Sequence, residues 1–254
     1  MTDATWYRAL LWGVFAVAPL VVLALVFMPA PYGRHADRKF GPTMGTRAAW
    51  ILMEAPSSLL FAAVFFAGPR AFELVPLLLL AIWQVHYAQR AFVYPFLLRP
   101  KKGDRTPVLI CLMGFTFNCV NSLLNAGWIA SAEAGYTAAW LTDPRFVVGV
   151  ALFGLGYGIN RWADAVLRNL RKPGETGYRI PRGGLYEYIS APNYFGEMVE
   201  WLGWAIATWS LPGLAFFVFT VANLLPRAVS HHQWYKRTFP DYPERRKAAI
   251  PFLL

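Results

Sequence analysis

Hydrophobic positions in this chain are gathered into long runs instead of alternating with polar ones, and the polar positions between the runs form short, mostly basic blocks. The apolar runs cover residues 6–28, 45–67, 72–98, 108–131, 146–170, 192–209 and 213–235. At a rise of about 1.5 Å per residue, runs of this kind are long enough to cross a hydrocarbon core roughly 30 Å thick. They predict seven transmembrane helices and an all-α integral membrane fold. The first run lacks a basic leader, carries Trp12 and Pro19, and exceeds the ~7 to 15 residue apolar core of a secretory signal. It is read as a retained helix.

Composition agrees with lipid as the solvent: hydrophobic residues are 57% and charged residues 15% of the 254. A net charge of +10 would suggest nucleic acid as a partner in a soluble chain, but here the basic residues have an address. Arg34, Arg38 and Lys39 follow the first run; Arg99, Lys101, Lys102 and Arg105 follow the third; Arg168, Arg171, Lys172, Arg179 and Arg182 follow the fifth. Lys236, Arg237, Arg245, Arg246 and Lys247 follow the last, while the other connections are nearly free of positive charge. The positive-inside rule then places the N-terminus outside and the C-terminus in the cytoplasm. No repeat or linker divides the chain, so residues 1–254 read as one domain with its working side, and a polar cavity, opening to the cytoplasm. Cys111 and Cys119 share one run without a CxxC or His/Cys cluster, so no metal site or disulfide framework is expected. The composition gives no reason to expect more than a monomer.

Polar residues inside the runs are expensive in lipid and face a cavity or one another. Glu54 is the one internal charge of the second run, about ten residues in, or roughly 14 Å deep. Trp83, Tyr87, Arg90 and Tyr94 recur at helical spacing along the third, and Asn118, Asn121 and Asn125 along the fourth. The fifth carries Asn160, Asp164, Arg168 and Arg171, and the seventh Arg227, His231 and Tyr235. Between them, residues 174–204 bring Tyr178, Arg179 and Arg182, a Gly183-Gly184 turn, and then Asn193, Glu197 and either Glu200 or Trp201 on one helical face. Single Asn or Tyr residues of this sort often only tie helices together, and an arginine near a helix end can snorkel to lipid phosphate. Convergence of several arginines with Asn193 and His231 favours a large anion, with Glu54 and Tyr87 lying deeper. A phosphorylated nucleotide with an uncharged reactive end fits that gradient. Gly154, Gly156 and Gly158 spell GLGYG without a preceding strand, so they are read as helix packing through Gly154 and Gly158, not as a dinucleotide loop. Lys172-Pro173-Gly174 and Gly183-Gly184 frame residues 170–185 either as a lid over the cofactor or as a static basic cap.

RAAWILMEAPS around Glu54, VHYAQRAFVYPFLL around Tyr87, the segment from Gly158 to Pro212 and the tail RAVSHHQWYKRTFPDYPERRKAAIPFLL together resemble the steroid 5α-reductase family. The tail motif is shared more loosely with other sterol reductases and isoprenylcysteine methyltransferases. The resemblance implies an integral membrane enzyme that reduces the C4=C5 double bond of 3-oxo-Δ4 steroids with NADPH, and a partnership with lipid, steroid and cofactor but neither nucleic acid nor metal. It implies that Glu54 and Tyr87 bind the 3-keto oxygen and act in catalysis, with Trp50 and Trp83 beside the substrate. It further implies cofactor contacts from Asn160, Asp164, Arg171, Tyr178, Arg179, Asn193, Glu197, Trp201, Arg227, His231 and Tyr235, mostly within 105–254, and from Tyr32, Arg34, Arg90 and Tyr94 near the cofactor mouth. Members in animals occupy the endoplasmic reticulum; a bacterial copy would occupy the inner membrane.

The chemistry of the residues is consistent with that role. Hydride addition to the β-carbon of an enone drives charge onto the carbonyl oxygen, and Tyr87, hydrogen-bonded to Glu54, is a suitable donor to it. A neutral Glu54 could donate directly, and the α-carbon proton could come from Tyr87 or water. Another conjugated enone or enoyl lipid as substrate, a methyltransferase of the isoprenylcysteine type, and a lipid-binding or transport protein remain as alternatives.

Overall fold

The computed structural model describes residues 2, 4–27, 41–99, 105–170 and 177–254. Each apolar run contains a helix. α1 spans Thr5–Phe27, α2 Thr46–Phe66, α4 Val108–Ile129, α5 Pro144–Asn169, α6 Pro192–Thr208 and α7 Leu211–Thr238. α3 begins as Leu74–Ala88, passes through a π-helical turn at Gln89–Val93 and ends in the α turn Tyr94–Leu97. Among the described residues, α1, α2, α4, α5 and α7 are long and apolar enough to cross a membrane. The protein is therefore an all-α, multi-pass membrane protein in class, with one small addition. Thr43–Gly45 (β1) and Arg105–Pro107 (β2) form an antiparallel ribbon, held by Arg105 Nη2 donating to the Thr43 carbonyl at 2.6 Å. Three-residue strands are too short to leave a periodic signal in the sequence.

Large apolar side chains face outward along the helices, Trp12, Leu20, Leu23 and Phe27 on α1 among them. In lipid this exposure is favourable, and the polar residues are turned inward. α1 packs on α7, α2 on α4, and α6 lies between α5 and α7. The closest of these contacts is between α5 and α6. Gly149 and Gly156 on α5 face the backbone of α6 at Ala207 and Glu200, and Gly196 and Gly203 on α6 face Asn160 and Phe153 in return. A Cβ at any of the four would overlap main-chain atoms. The expected packing through Gly154 and Gly158 is corrected here, since both have open space around them. The helix turns the 149/156 pair, not the 154/158 pair, toward its neighbour.

α2 contains Pro56, and carbonyls around it collect donors from neighbouring helices. Asn118 Nδ2 donates to Met53 O at 2.8 Å, Ser122 Oγ to Pro56 O at 3.1 Å and Trp83 Nε1 to Ser57 O at 2.6 Å. A proline inside a helix removes a donor and opens the carbonyl ladder, and buried carbonyls need substitutes. These bonds fix the depth and rotation of α2, and with it the direction of Glu54.

At the basic end, the tail is stitched to the segment before α6. Ser190 N donates to Lys247 O at 2.8 Å and Lys247 N to Tyr188 O at 2.8 Å, while Ser190 Oγ sits 2.6 Å from both His232 Nδ1 and Tyr242 Oη. The Gly183-Gly184 turn has φ of 88° and 50°, a region that other residues rarely enter. Glu187 closes it, accepting from Gly183 N at 2.6 Å. Arg182 and the fully buried Arg246 reach the same carboxylate at 3.5 and 3.7 Å.

Candidate active site

A cavity of about 500 Å³ lies between α1, α2, α3, α4 and α7, with Glu197 of α6 on its wall. That volume is in the usual range for a small-molecule site. Its walls are largely apolar, from Val21, Leu25, Met53, Leu109, Met113, Phe117, Phe216 and Phe219. The expectation of a polar cavity is thus corrected: the polar groups form one cluster on an otherwise greasy surface.

Glu54 anchors that cluster. It is 8% exposed, with Oε1 3.5 Å from Arg90 Nε and Oε2 accepting from Asn118 Nδ2 at 3.2 Å. The expected hydrogen bond from Tyr87 to Glu54 is not the one formed; Arg90 and Asn118 take the carboxylate, and Tyr87 stands beside Glu54 and Ser57 as a close neighbour. Arg90 belongs to the π turn of α3. Its guanidinium lies 4.7 Å from the Trp50 ring and 5.4 Å from the Tyr94 ring, and Nη2 is 3.9 Å from Glu197 Oε1. One extra residue in the turn lets Arg90 reach both carboxylates from a helix that otherwise presents a fixed face.

A second polar group joins α5 to α6. Asn160 Nδ2 donates to Asn193 O at 3.0 Å and to Glu197 Oε2 at 3.4 Å, and Asn193 Nδ2 donates to Asp164 Oδ1 at 3.2 Å. A third joins α6 to α7 through Tyr194, whose hydroxyl accepts from Arg227 Nη2 at 3.0 Å and lies 3.2 Å from His231 Nε2.

Residues 104–254 match the family described as 3-oxo-5-alpha-steroid 4-dehydrogenase. The 3-oxo-5-alpha-steroid 4-dehydrogenase 1 of Bos taurus is 48% identical over 243 residues, covering 94% of this chain and 93% of that protein. The chain belongs to the 3-oxo-5-alpha-steroid 4-dehydrogenase family. The human 3-oxo-5-alpha-steroid 4-dehydrogenase 1 is 46% identical over 224 residues, covering 87% of this chain and 85% of that protein. The steroid 5-alpha-reductase DET2 of Arabidopsis thaliana is 41% identical over 259 residues, covering 100% and 98%. Membership in the 3-oxo-5-alpha-steroid 4-dehydrogenase family makes the chain an oxidoreductase.

Against this family background, the residues singled out from the sequence divide into groups. Glu54, Tyr87, Arg90, Trp50, Glu197 and Arg227 all line the cavity. Asn160, Asp164, Asn193 and Tyr94 join them through Glu197 and Arg90. Trp83 is not on the wall; it is fully buried behind it, stacked on Phe61 at 4.2 Å between ring centres. Trp201 is also buried, its ring 5.7 Å from that of Tyr87 and roughly parallel to it, so it backs the tyrosine. Tyr235 is buried in a stack with Tyr242. Tyr178 packs its ring on Trp234, and Arg179 beside it is exposed. Tyr32, Arg34 and Arg171 lie outside the described residues, as do residues 171–176 of the segment considered as a lid. Sequence reasoning missed His86, whose ring lines the cavity one position before Tyr87, and Asn223 and Phe216 on α7.

Proposed function

We propose that this protein reduces the C4=C5 double bond of 3-oxo-Δ4 steroids to the 5α-dihydro products, using NADPH. The observation that carries the reading is the placement of Glu54, Tyr87 and Arg90 together at one side of an apolar cavity, in a chain of this family. A steroid is rigid and apolar with a polar group at its end, and such a cavity matches that distribution. Its 3-keto oxygen meets the Tyr87 hydroxyl, with Glu54 alongside and Arg90 countering the carboxylate. The Tyr87 hydroxyl donates to the oxyanion that develops as the enone is reduced, and Arg90 offsets the charge of the neighbouring Glu54.

The chain offers the cofactor a chemical complement. Arg168 Nη1 is buried without a partner among the described residues, a donor suited to a phosphate oxygen. Asp164, Asn193, Glu197 and Asn160 supply acceptors and donors for sugar and amide groups, and Tyr94, Arg227, His231, Tyr178, Arg179, Trp201 and Tyr235 complete the expected set with Tyr32, Arg34 and Arg171. When bound, the reduced nicotinamide supplies hydride to C5. The number of arginines speaks against a methyl donor that carries no phosphate.

The whole chain is proposed to act as one domain of seven spans, N-terminus outside and C-terminus in the cytoplasm, in the endoplasmic reticulum or a bacterial inner membrane. Purified protein in lipid discs, given testosterone and either NADPH or S-adenosylmethionine, tests the reading. A product heavier by two hydrogens, formed only with NADPH, is expected. Methylated lipid and unchanged steroid would overturn it.

A further inference from the structure

The cavity wall carries one polar ring that the proposed reduction leaves unused. His86 is 3% exposed and lines the cavity beside Tyr87, their ring centres 4.8 Å apart. Its Nδ1 lies 2.7 Å from Oε1 of Glu200 on α6. This is its one hydrogen bond among the described residues, which leaves Nε2 available to a ligand. Glu200 is completely buried, and its Oε2 has no partner among the described residues.

A buried carboxylate with a bare oxygen is costly, so the two groups persist together as a pair without net charge. Such a pair holds two protons. One lies between Nδ1 and Oε1, on whichever side; the other sits on Nε2, which can donate into the cavity, in preference to Oε2, whose O–H would find no acceptor among the described residues. In either arrangement the ring presents an N–H donor to the cavity. Glu54 on α2, Arg90 on α3, Tyr157 and Arg161 on α5 and Glu197 on α6 are the ionisable groups that face the pair.

We propose that His86, oriented by Glu200, is the proton donor of the reduction; the inference rests on the function proposed above. In that reaction the β-carbon gains a hydride with its electron pair from the reduced nicotinamide. The alkene pair moves to the bond between the α- and carbonyl carbons, and the carbonyl π pair moves onto oxygen. The carbonyl then re-forms as the α-carbon takes the Nε2 proton, whose bonding pair stays on nitrogen. The shared proton settles on Nδ1 and Glu200 is left as carboxylate. One proton from water restores the pair after product leaves, so each double bond gains one hydride and one proton.

Three measurements on the full chain test this. With NADPH deuterated at the transferable position, the wild-type product should carry deuterium at C5; its absence would overturn both the reduction and the role of His86. His86→Gln should lower turnover about 100-fold or more, the range typical of a lost general acid. The alkaline limb of the wild-type rate profile should vanish in that variant and move to lower pH in Glu200→Gln. Deuterium at C5 with turnover and alkaline limb unchanged in both variants would leave the reduction standing and overturn the role of His86. The third needs no cofactor and no change at His86 or Glu200. In protein labelled with 15N-histidine, and assigned by replacing His35, His231 and His232 singly, His86 Nε2 should be protonated at neutral pH and shift on addition of testosterone. An unprotonated Nε2 would refute the proposal.

Discussion

The carboxylate of Glu54 is shared between Arg90, 3.5 Å away, and Asn118, at 3.2 Å, so it is held in place without drawing on the Tyr87 hydroxyl. Loss of one oxyanion donor from a water-poor site costs about 3 to 4 kcal/mol of transition-state stabilisation. Tyr87→Phe and Glu54→Gln are each expected to lower turnover by roughly 100-fold to 1,000-fold, with NADPH affinity unchanged by direct titration. Near-normal turnover in both would remove them from the chemistry. These two residues were legible in the sequence because each is polar in an apolar run. His86 was not, because it sits one position off the stripe of Trp83, Tyr87 and Arg90, and its partner Glu200 is 114 residues away. Trp83 lies on that stripe too, but its indole N–H is taken by Ser57 O and its ring by the core, which spacing does not reveal.

At the level of elements, the helices follow from apolar runs long enough to leave little doubt about type, whereas the way they touch depends on details that composition hides. GLGYG draws attention to Gly154 and Gly158, yet the contact between α5 and α6 runs through Gly149, Gly156, Gly196 and Gly203. Gly156→Ala is expected to destabilise by about 1 to 3 kcal/mol or more, as overpacking of a tight interface does. Gly154→Ala should leave stability unchanged or raise it by up to about 1 kcal/mol, alanine being the better helix former. Thermal unfolding in detergent compares them, and equal effects would contradict the packing. The π turn of α3 is equally silent in the sequence, since its residues differ in no way from those of a regular helix. The turn at Gly183 has its own pH signature. The Gly183 N–H, with Arg246 and Arg182, holds the Glu187 carboxyl below its usual 4.5. A lowered folded-state value means that the clamp stabilises the turn above about pH 4.5 and loses that effect as pH falls through the lower value. Hydrogen-exchange protection factors across residues 177–190, corrected for the intrinsic pH dependence of exchange, should fall on acidification below this point, and Glu187→Gln should flatten the dependence. Since the carboxylate is 43% exposed, local opening should respond before global stability does.

At the scale of the whole molecule, the outward apolar faces and inward polar clusters make the bilayer part of the fold, and the basic connections carry the proposed orientation. In a background lacking Cys111 and Cys119, a cysteine at Glu133 should be labelled from outside intact cells and one at Arg182 only after permeabilisation; the reverse pattern would invert the topology. The all-α, multi-pass class was legible from hydrophobicity alone, while the apolar lining of the cavity was not, because its walls come from six helices distant in sequence and that lining looks like any lipid-facing surface. The central claim is that these parts combine to move hydride to a steroid enone. The most direct measurement is the position of deuterium in the product formed from testosterone and NADPH labelled at the transferable hydrogen. Deuterium at C5 on the α face is the expected result, and an unlabelled product, or no reduced steroid at all, would contradict the account.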